Sequence, residues 1–299
     1  MNSYISLYPF LPFTVLRWPC CLYTVGQVVH TLPECEQVMG VTSLADEVYV
    51  LRWKVRAQIE VYDVISYGLQ RRLSVPNIHG LISLVDLTSC EHYRCVYVSD
   101  ENVECVHRLD VVHGASSRWI VNDKPRGLSV NAAHNVLVTC PDVRKIKEFS
   151  TRGDLLWELA LPGDVVNPLH AIQTRNGEFI VCHGGLVDAV HRVCKITGDG
   201  EDIIQSHGGQ PGSGIGQYEG PIRLAVDNNE FVFVADPENR QVTLLSPTLD
   251  YIRQVVSPDD LKWLPRRLCL DFHRRRLYVA DNELKDGYFI AGRVVVFSV

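Results

Sequence analysis

Residues 231–247, FVFVADPENRQVTLLSP, set two runs of β-branched and aromatic residues on either side of the turn-forming Asp236-Pro237-Glu238-Asn239, a hairpin signal. The same order of apolar run, polar turn and second apolar run occurs six times. The second runs end at Arg52, Asp100, Cys140, His183, Asp236 and Asp281, at intervals of 48, 40, 43, 53 and 45 residues, a mean near 46. Units of this size, alternating with period two and broken by Gly, Pro and Asn, are what propeller blades require, because one four-stranded blade cannot bury both faces without neighbours. Helical solenoids share the period but not the alternation. With 299 residues, 46% of them hydrophobic and 21% charged, the chain has apolar residues enough for one such body.

The expected fold is therefore all-β, a six-bladed β-propeller of four-stranded blades over residues 22–299. The blades fall at about 34–75, 76–123, 124–161, 162–208, 217–257 and 261–299. Outer strands read at 69–75, 117–123, 155–161, 202–208 and 251–257, and the last unit stops on a third strand. GQVVHTL at 26–32 has no other partner, so the N-terminal segment is expected to complete the last blade and close the ring without a bare edge. Residues 1–21 read as a disordered or non-native leader. They have no basic n-region, and Pro9 and Pro12 interrupt the apolar run, which argues against a signal peptide or a membrane span.

Residues 221–246 and 265–299 share a P-x-x-L-x-[VL]-D start, and VADPENRQV and VADNE supply the turn. These units resemble NHL repeats and are similar to the six-bladed propellers of tripartite-motif ubiquitin ligases. The resemblance implies the fold for nearly the whole chain. In that family an N-terminal zinc RING does the catalytic work, followed by B-boxes and a coiled coil. Residues 1–21 carry no Cys/His spacing of that kind and no heptad run occurs, so any ubiquitin transfer would need another module.

Three classes of function compete. An enzymatic site, such as a metal-dependent propeller hydrolase or lyase, would need converging carboxylates or imidazoles. The candidates His79, Asp86, His134, His170, His183 and His191 are scattered over different strand positions, and His183 and His191 read as locally hydrogen-bonded. No H-E-x-x-H, G-x-S-x-G or P-loop occurs, and the glycine run at 208–216 reads as a flexible connection between blades. The ten cysteines form no C-x-x-C pair and sit mostly in apolar runs, which predicts no zinc module and a reducing, cytoplasmic compartment. No catalytic, cofactor-binding or metal residue is assigned on this reading.

Recognition is the stronger class. The loops entering the inner strands and those between second and third strands share one face. They carry the candidate binding residues Arg52, Trp53, Lys54, Arg56, Arg126, Arg144, Lys145, Arg223, Arg240, Arg266 and Arg267. Carboxylates at Asp100, Glu101, Asp142, Asp236, Glu238 and Asp281 interleave with them, the net charge is −6, and Trp53 is the single evident aromatic at a loop tip. A mixed rim of this kind predicts a protein partner, with single-stranded RNA as the alternative and no membrane partner. The run HRRR at 273–276 reads as a solvated hairpin on the opposite face, and Asp227 and Asp271 as turn caps.

Overall fold

A computed structural model describes residue 23 and residues 25–53, 57–75, 84–184 and 190–299. Among these the chain forms six four-stranded antiparallel sheets and no helix. The first strand, β1 (Gln27–Thr31), does not pair with its successor in the chain. Blade 1 is β2 (Val38–Leu44), β3 (Glu47–Arg52), β4 (Gln58–Asp63) and β5 (Leu69–Ser74). Blade 2 is β6 (Leu84–Cys90), β7 (Cys95–Asp100), β8 (Cys105–Asp110) and β9 (Ser116–Ile120). Blade 3 is β10 (Gly127–Val130), β11 (Val136–Cys140), β12 (Lys145–Phe149) and β13 (Leu155–Ala160). Blade 4 is β14 (Pro168–Gln173), β15 (Phe179–His183), β16 (His191–Ile196) and β17 (Ile203–Gly209). Blade 5 is β18 (Arg223–Val226), β19 (Val232–Asp236), β20 (Gln241–Leu245) and β21 (Tyr251–Val256). Blade 6 is β22 (Leu264–Asp271), β23 (Arg276–Lys285) and β24 (Tyr288–Ser298), and β1 is its outer strand, Gln27 opposite Ser298 and Thr31 opposite Val295.

The second and third strands of each blade are buried on both faces, so they read as continuous apolar runs such as VFVAD, while outer strands alternate, as in LLWELA. Six apolar clusters result, one between each pair of adjacent blades. Tyr49, Leu51 and Ile59 of blade 1 pack on Leu87, Val96 and Val98 of blade 2, and Tyr278, Val294 and Val296 of blade 6 pack on Val41, Val48 and Val50 of blade 1. The ring is continuous across its seam. Near the axis the blades approach so closely that a Cβ on Gly40 would lie 2.3 Å from the Leu87 side chain, and one on Gly127 would lie 2.4 Å from the Leu169 carbonyl.

Closure uses more than the strand. Tyr23, ahead of β1, is buried between blades 5 and 6 with its ring edge-on to Phe233 at 5.1 Å, and its hydroxyl donates to Asp227 at 2.6 Å. Asp227 also accepts from the Asn229 and Phe231 amides at 2.8 and 2.7 Å, and Asp271 accepts from the Arg274 amide at 3.0 Å, the turn caps expected of both. The HRRR segment is more than a solvated hairpin. Arg274 donates to the Ala45 carbonyl at 3.0 Å and pairs with Asp46, bracing blade 6 on blade 1.

The inner strands carry a buried polar network along the axis. Asp86 of β6 accepts from its neighbour Leu87 N–H at 2.8 Å, from Leu128 N–H of β10 at 2.6 Å, and from Arg223 of β18. Arg267 of β22 lies 3.9 Å from the same carboxylate and donates to the carbonyls of Met39 in β2, at 2.7 Å, and Val85 in β6. His170 of β14 accepts from Leu224 N–H at 3.3 Å through Nδ1 and donates to the Leu128 carbonyl at 3.0 Å through Nε2. Burial, and then the positive Arg223, hold this imidazole well below its ordinary value of 6.5.

This architecture carries three expected outcomes. Deleting residues 20–33 bares the edge of β24 and is expected to give aggregation, read by size-exclusion chromatography. Tyr23→Ala is expected to lower the free energy of unfolding by about 3–5 kcal/mol and Tyr23→Phe by about 1–3 kcal/mol in urea titrations. Because unfolded His170 takes up a proton at higher pH than the folded residue, its contribution is complete above pH 6.5 and is lost as pH falls below it. Unfolding free energies from urea titrations between pH 7 and 5 are expected to fall by up to about 1.4 kcal/mol per pH unit for this one group, with a shallower slope in His170→Gln.

Candidate binding face

In blades 1, 4, 5 and 6 the end of the second strand reaches up to the loop that enters its own blade. Asp281 accepts from the Lys262 and Trp263 amides at 3.0 and 2.7 Å, and Asp236 from the Glu219 amide at 2.8 Å. In blade 1 the polarity is inverted. Arg52 is fully buried, and donates to the carbonyls of Pro33, Glu36 and Gly292 at 2.8–3.0 Å and to Glu60 at 2.8 Å. These bonds bring the entering loops and the second-to-third-strand hairpins onto one face.

The cations expected on that face are largely consumed by the fold. Arg52 and Arg223 are buried and not on the surface, because each is held by a buried carboxylate, Glu60 and Asp86. Arg267 belongs to the axial network, and burial lowers it to about 9. Arg266 is half-buried with its guanidinium 4.4 Å from the Phe289 ring centre, and burial lowers it to about 10. Arg240 is tied to the carbonyls of Pro258 and Leu261, and Lys145 pairs with Glu158. Arg126 bonds Glu101 at 3.2 Å and stays 41% exposed, and Arg144 donates to the Gly163 carbonyl at 3.1 Å from an exposed position. Trp53 packs half-buried against the cluster between blades 1 and 2. Lys54, Arg56 and His79 lie outside the described residues.

The candidate histidines His134, His183 and His191 do not converge. His183 donates through Nδ1 to the Val166 carbonyl at 3.2 Å and accepts from Arg192 at 2.9 Å, His191 accepts from the Gly220 amide at 3.0 Å, and His134 stacks on His92 at 4.3 Å. Asp86 and His170 do meet, on the axis. Below them the inner strands line a channel of about 270 Å³ bearing Thr42, Ser89, Ser129 and Cys269. The 208–216 segment does connect blades 4 and 5, pinned by Gly212 N–H to the Tyr218 carbonyl at 3.0 Å and by Asn239 to the Gly212 carbonyl at 2.9 Å.

The most prominent feature of the face is one that residue chemistry alone passed over. In blade 5 the hairpin turns at once, Asp236 pairing with Gln241, whereas in blade 6 Asp281 pairs with Arg293 and four further pairs follow, out to Lys285 opposite Tyr288. At about 3.3 Å per residue, the tip stands about 13 Å beyond its counterpart. It exposes Tyr288 by 75%, Ile290 by 49% and Leu284 by 43%. Its base is bolted to blade 1, since Asn282 donates to the Val38 carbonyl at 2.9 Å and accepts from its amide at 2.8 Å, while Gly292 and Cys35 exchange backbone bonds. The legible signal was length, the unusually long spacing between VAD and GRVVVF.

No family model matches the chain, and no curated protein matches it in sequence. Solved structures do. A streptogramin B lyase superposes with a TM-score of 0.60 at 11% identity, covering 86% of this chain and 83% of that one. The virginiamycin B lyase of Staphylococcus aureus gives 0.59 at 10% identity, covering 89% and 98%. The β-propeller domain of Cps50 (Swd1) from Myceliophteria thermophila gives 0.59 at 11% identity, covering 92% and 99%. At such identities the likeness shows the fold alone, and that fold is the β-propeller.

Proposed function

We propose that this chain is a non-catalytic, NHL-type protein-recognition propeller whose partner docks on the face of the entering loops, centred on the blade 6 hairpin. The observation that carries this reading is the exposure of Leu284, Tyr288 and Ile290 on a tip whose base is fixed to two blades. A rigid, exposed aromatic with aliphatic neighbours is the composition of a binding hot spot, and the fixed base keeps the ordering cost of association low. Glu283, Lys285 and Asp286 around it, with Arg126, Glu101 and Arg144 across the mouth, supply a mixed polar rim that orients a partner.

RNA is the weaker reading, because a phosphate track needs connected, unpaired cations, and Arg52, Arg223, Arg267, Arg240 and Lys145 are engaged within the protein. Hydrolase or lyase chemistry is weaker still, since His170 has both nitrogens occupied. The resemblance to tripartite-motif ligases supplies the class of process, substrate selection in a ubiquitin-ligase-like system whose transfer chemistry resides on another module. A cytoplasmic location belongs to the same proposal.

The test is a triple variant, Leu284→Ser, Tyr288→Ser and Ile290→Ser, compared with the wild type by proximity biotinylation and then by affinity for the labelled proteins. The variant is expected to keep its melting temperature and to lose a defined set of partners, with affinities down about 30-fold or more. An unchanged set of partners would remove the hairpin from the interface. A filter-binding assay with a random single-stranded RNA pool at physiological salt is expected to show no submicromolar retention. Retention that is abolished in Arg126→Ala/Arg144→Ala, which spares the axial network, would move the assignment to RNA.

A further inference from the structure

One place in the fold recurs in all six blades and is filled differently in one of them. The strand register makes three positions equivalent: the end of the second strand, the residue paired with it on the third strand, and the residue two further along, whose side chain falls on the same face. In most blades a strong donor settles this cluster at short range. Arg52 reaches Glu60 at 2.8 Å in blade 1, Arg192 reaches His183 at 2.9 Å in blade 4, Gln241 reaches Asp236 at 3.0 Å in blade 5, and Arg293 reaches Asp281 at 2.9 Å in blade 6. Blade 3 places two lysines there, and Lys147 bonds the Val121 carbonyl at 2.9 Å.

Blade 2 has no Arg, Lys or Gln at any of the three. It has Asp100, Cys105 and His107, all buried. Their mutual contacts are weak ones: His107 Nε2 is 3.5 Å from Asp100 Oδ2, long for a hydrogen bond to oxygen, and 3.4 Å from Cys105 Sγ, a distance at which a thiol is only a weak partner. All three ligand atoms lie within 4.8 Å of one another. Bonds of about 2.0 Å to oxygen, 2.0–2.1 Å to imidazole nitrogen and 2.3 Å to thiolate, at tetrahedral angles, set ligand atoms about 3.3–3.6 Å apart. The two shorter separations in blade 2 are of that length. Asp100 Oδ1 accepts from the Asn102 and Val103 amides at 3.1 and 3.4 Å, which fixes the carboxylate and leaves Oδ2 for an ion.

We propose that Asp100, Cys105 and His107 form a binding site for a divalent cation of the zinc class. The donor set, one thiolate, one imidazole and one carboxylate, excludes magnesium and calcium, which take oxygen ligands. Three protein donors leave a fourth tetrahedral position for a water. Coordination forms the sulfur–metal bond by releasing the Cys105 thiol proton to solvent. The signal in the sequence is a Cys-x-His pair on one strand face, five residues after an Asp on the partner strand.

The experiment uses the full chain, stripped with a chelator and titrated with cobalt(II) and then with zinc. Wild type is expected to bind one cobalt ion per chain with a thiolate-to-cobalt charge-transfer band and tetrahedral visible bands, both abolished by one equivalent of zinc. Cys105→Ser is expected to lose the charge-transfer band, and Asp100→Asn, which keeps its shape and backbone acceptor, to keep the band but bind at least about 10–100-fold more weakly. Cys194→Ser, at a thiol 3.3 Å from His183 in a cluster that contains an arginine, is the control and is expected to bind cobalt like wild type. Absence of a charge-transfer band in wild type, its persistence in Cys105→Ser, or equal loss in Cys194→Ser would each overturn the proposal. The wild-type and Asp100→Asn titrations decide it if Cys105→Ser does not fold.

Discussion

The carboxylate of Asp86 is the contact on which the ring turns. Isolated near the axis it would be costly, since a charge taken from water must be compensated by partners. Here it is compensated by a backbone amide from blade 3 and guanidinium groups from blades 5 and 6, while Arg267 reaches on to carbonyls in blades 1 and 2. His170 of blade 4 joins the same group through Leu128 and Leu224. Apolar packing between neighbouring blades specifies only pairwise contacts and would tolerate a change in blade number. A set of polar groups that must all meet at one point does not, because loss of any blade leaves a buried donor or acceptor without its partner.

The same compensation explains why this face looked cationic in one dimension. Arg52, Arg223 and Arg267 stand at loop boundaries in the sequence, where exposure is the default for arginine. Whether such a residue faces solvent depends on partners distant in the chain, as Asp86 is 137 residues from Arg223 and Gly292 is 240 from Arg52. Hydrophobic alternation carries no information about such pairs. It did carry the blade count, the outer strands and the seam, because those depend on local period and on the orphaned run at 26–32. Tyr23 was beyond its reach, since a lone aromatic ahead of a strand gives no hint that it will fill a gap between blades 5 and 6. The blade 6 hairpin was legible only as a length, and the Asp100, Cys105 and His107 cluster only once the strand register was known.

The six repeating clusters show how a repeat drifts while its architecture holds. Blades 5 and 6 use Asp to accept from the entering loop, and blade 1 uses Arg to donate to it with the polarity of every bond reversed. What these three blades share is the tie between the second strand and the entering loop, not the residue that makes it. Repeat patterns framed as residue identities lose such units early, although the hydrogen-bonding requirement that they meet is unchanged.

The seam also determines how the molecule bears load. Because Gln27 lies opposite Ser298, the chain enters β1 and leaves β24 at the same end of one antiparallel ribbon. Tension applied between the two ends of the propeller would open that pairing one hydrogen bond at a time, like a zipper, and would not shear all of them together. The Tyr23 ring, lodged ahead of the ribbon between blades 5 and 6, is then the first element that must be extracted. A molecule joined at both ends to larger partners would yield first at blade 6, the blade that carries the protruding hairpin, and pulling would reach its proposed interface before it disturbed the axis.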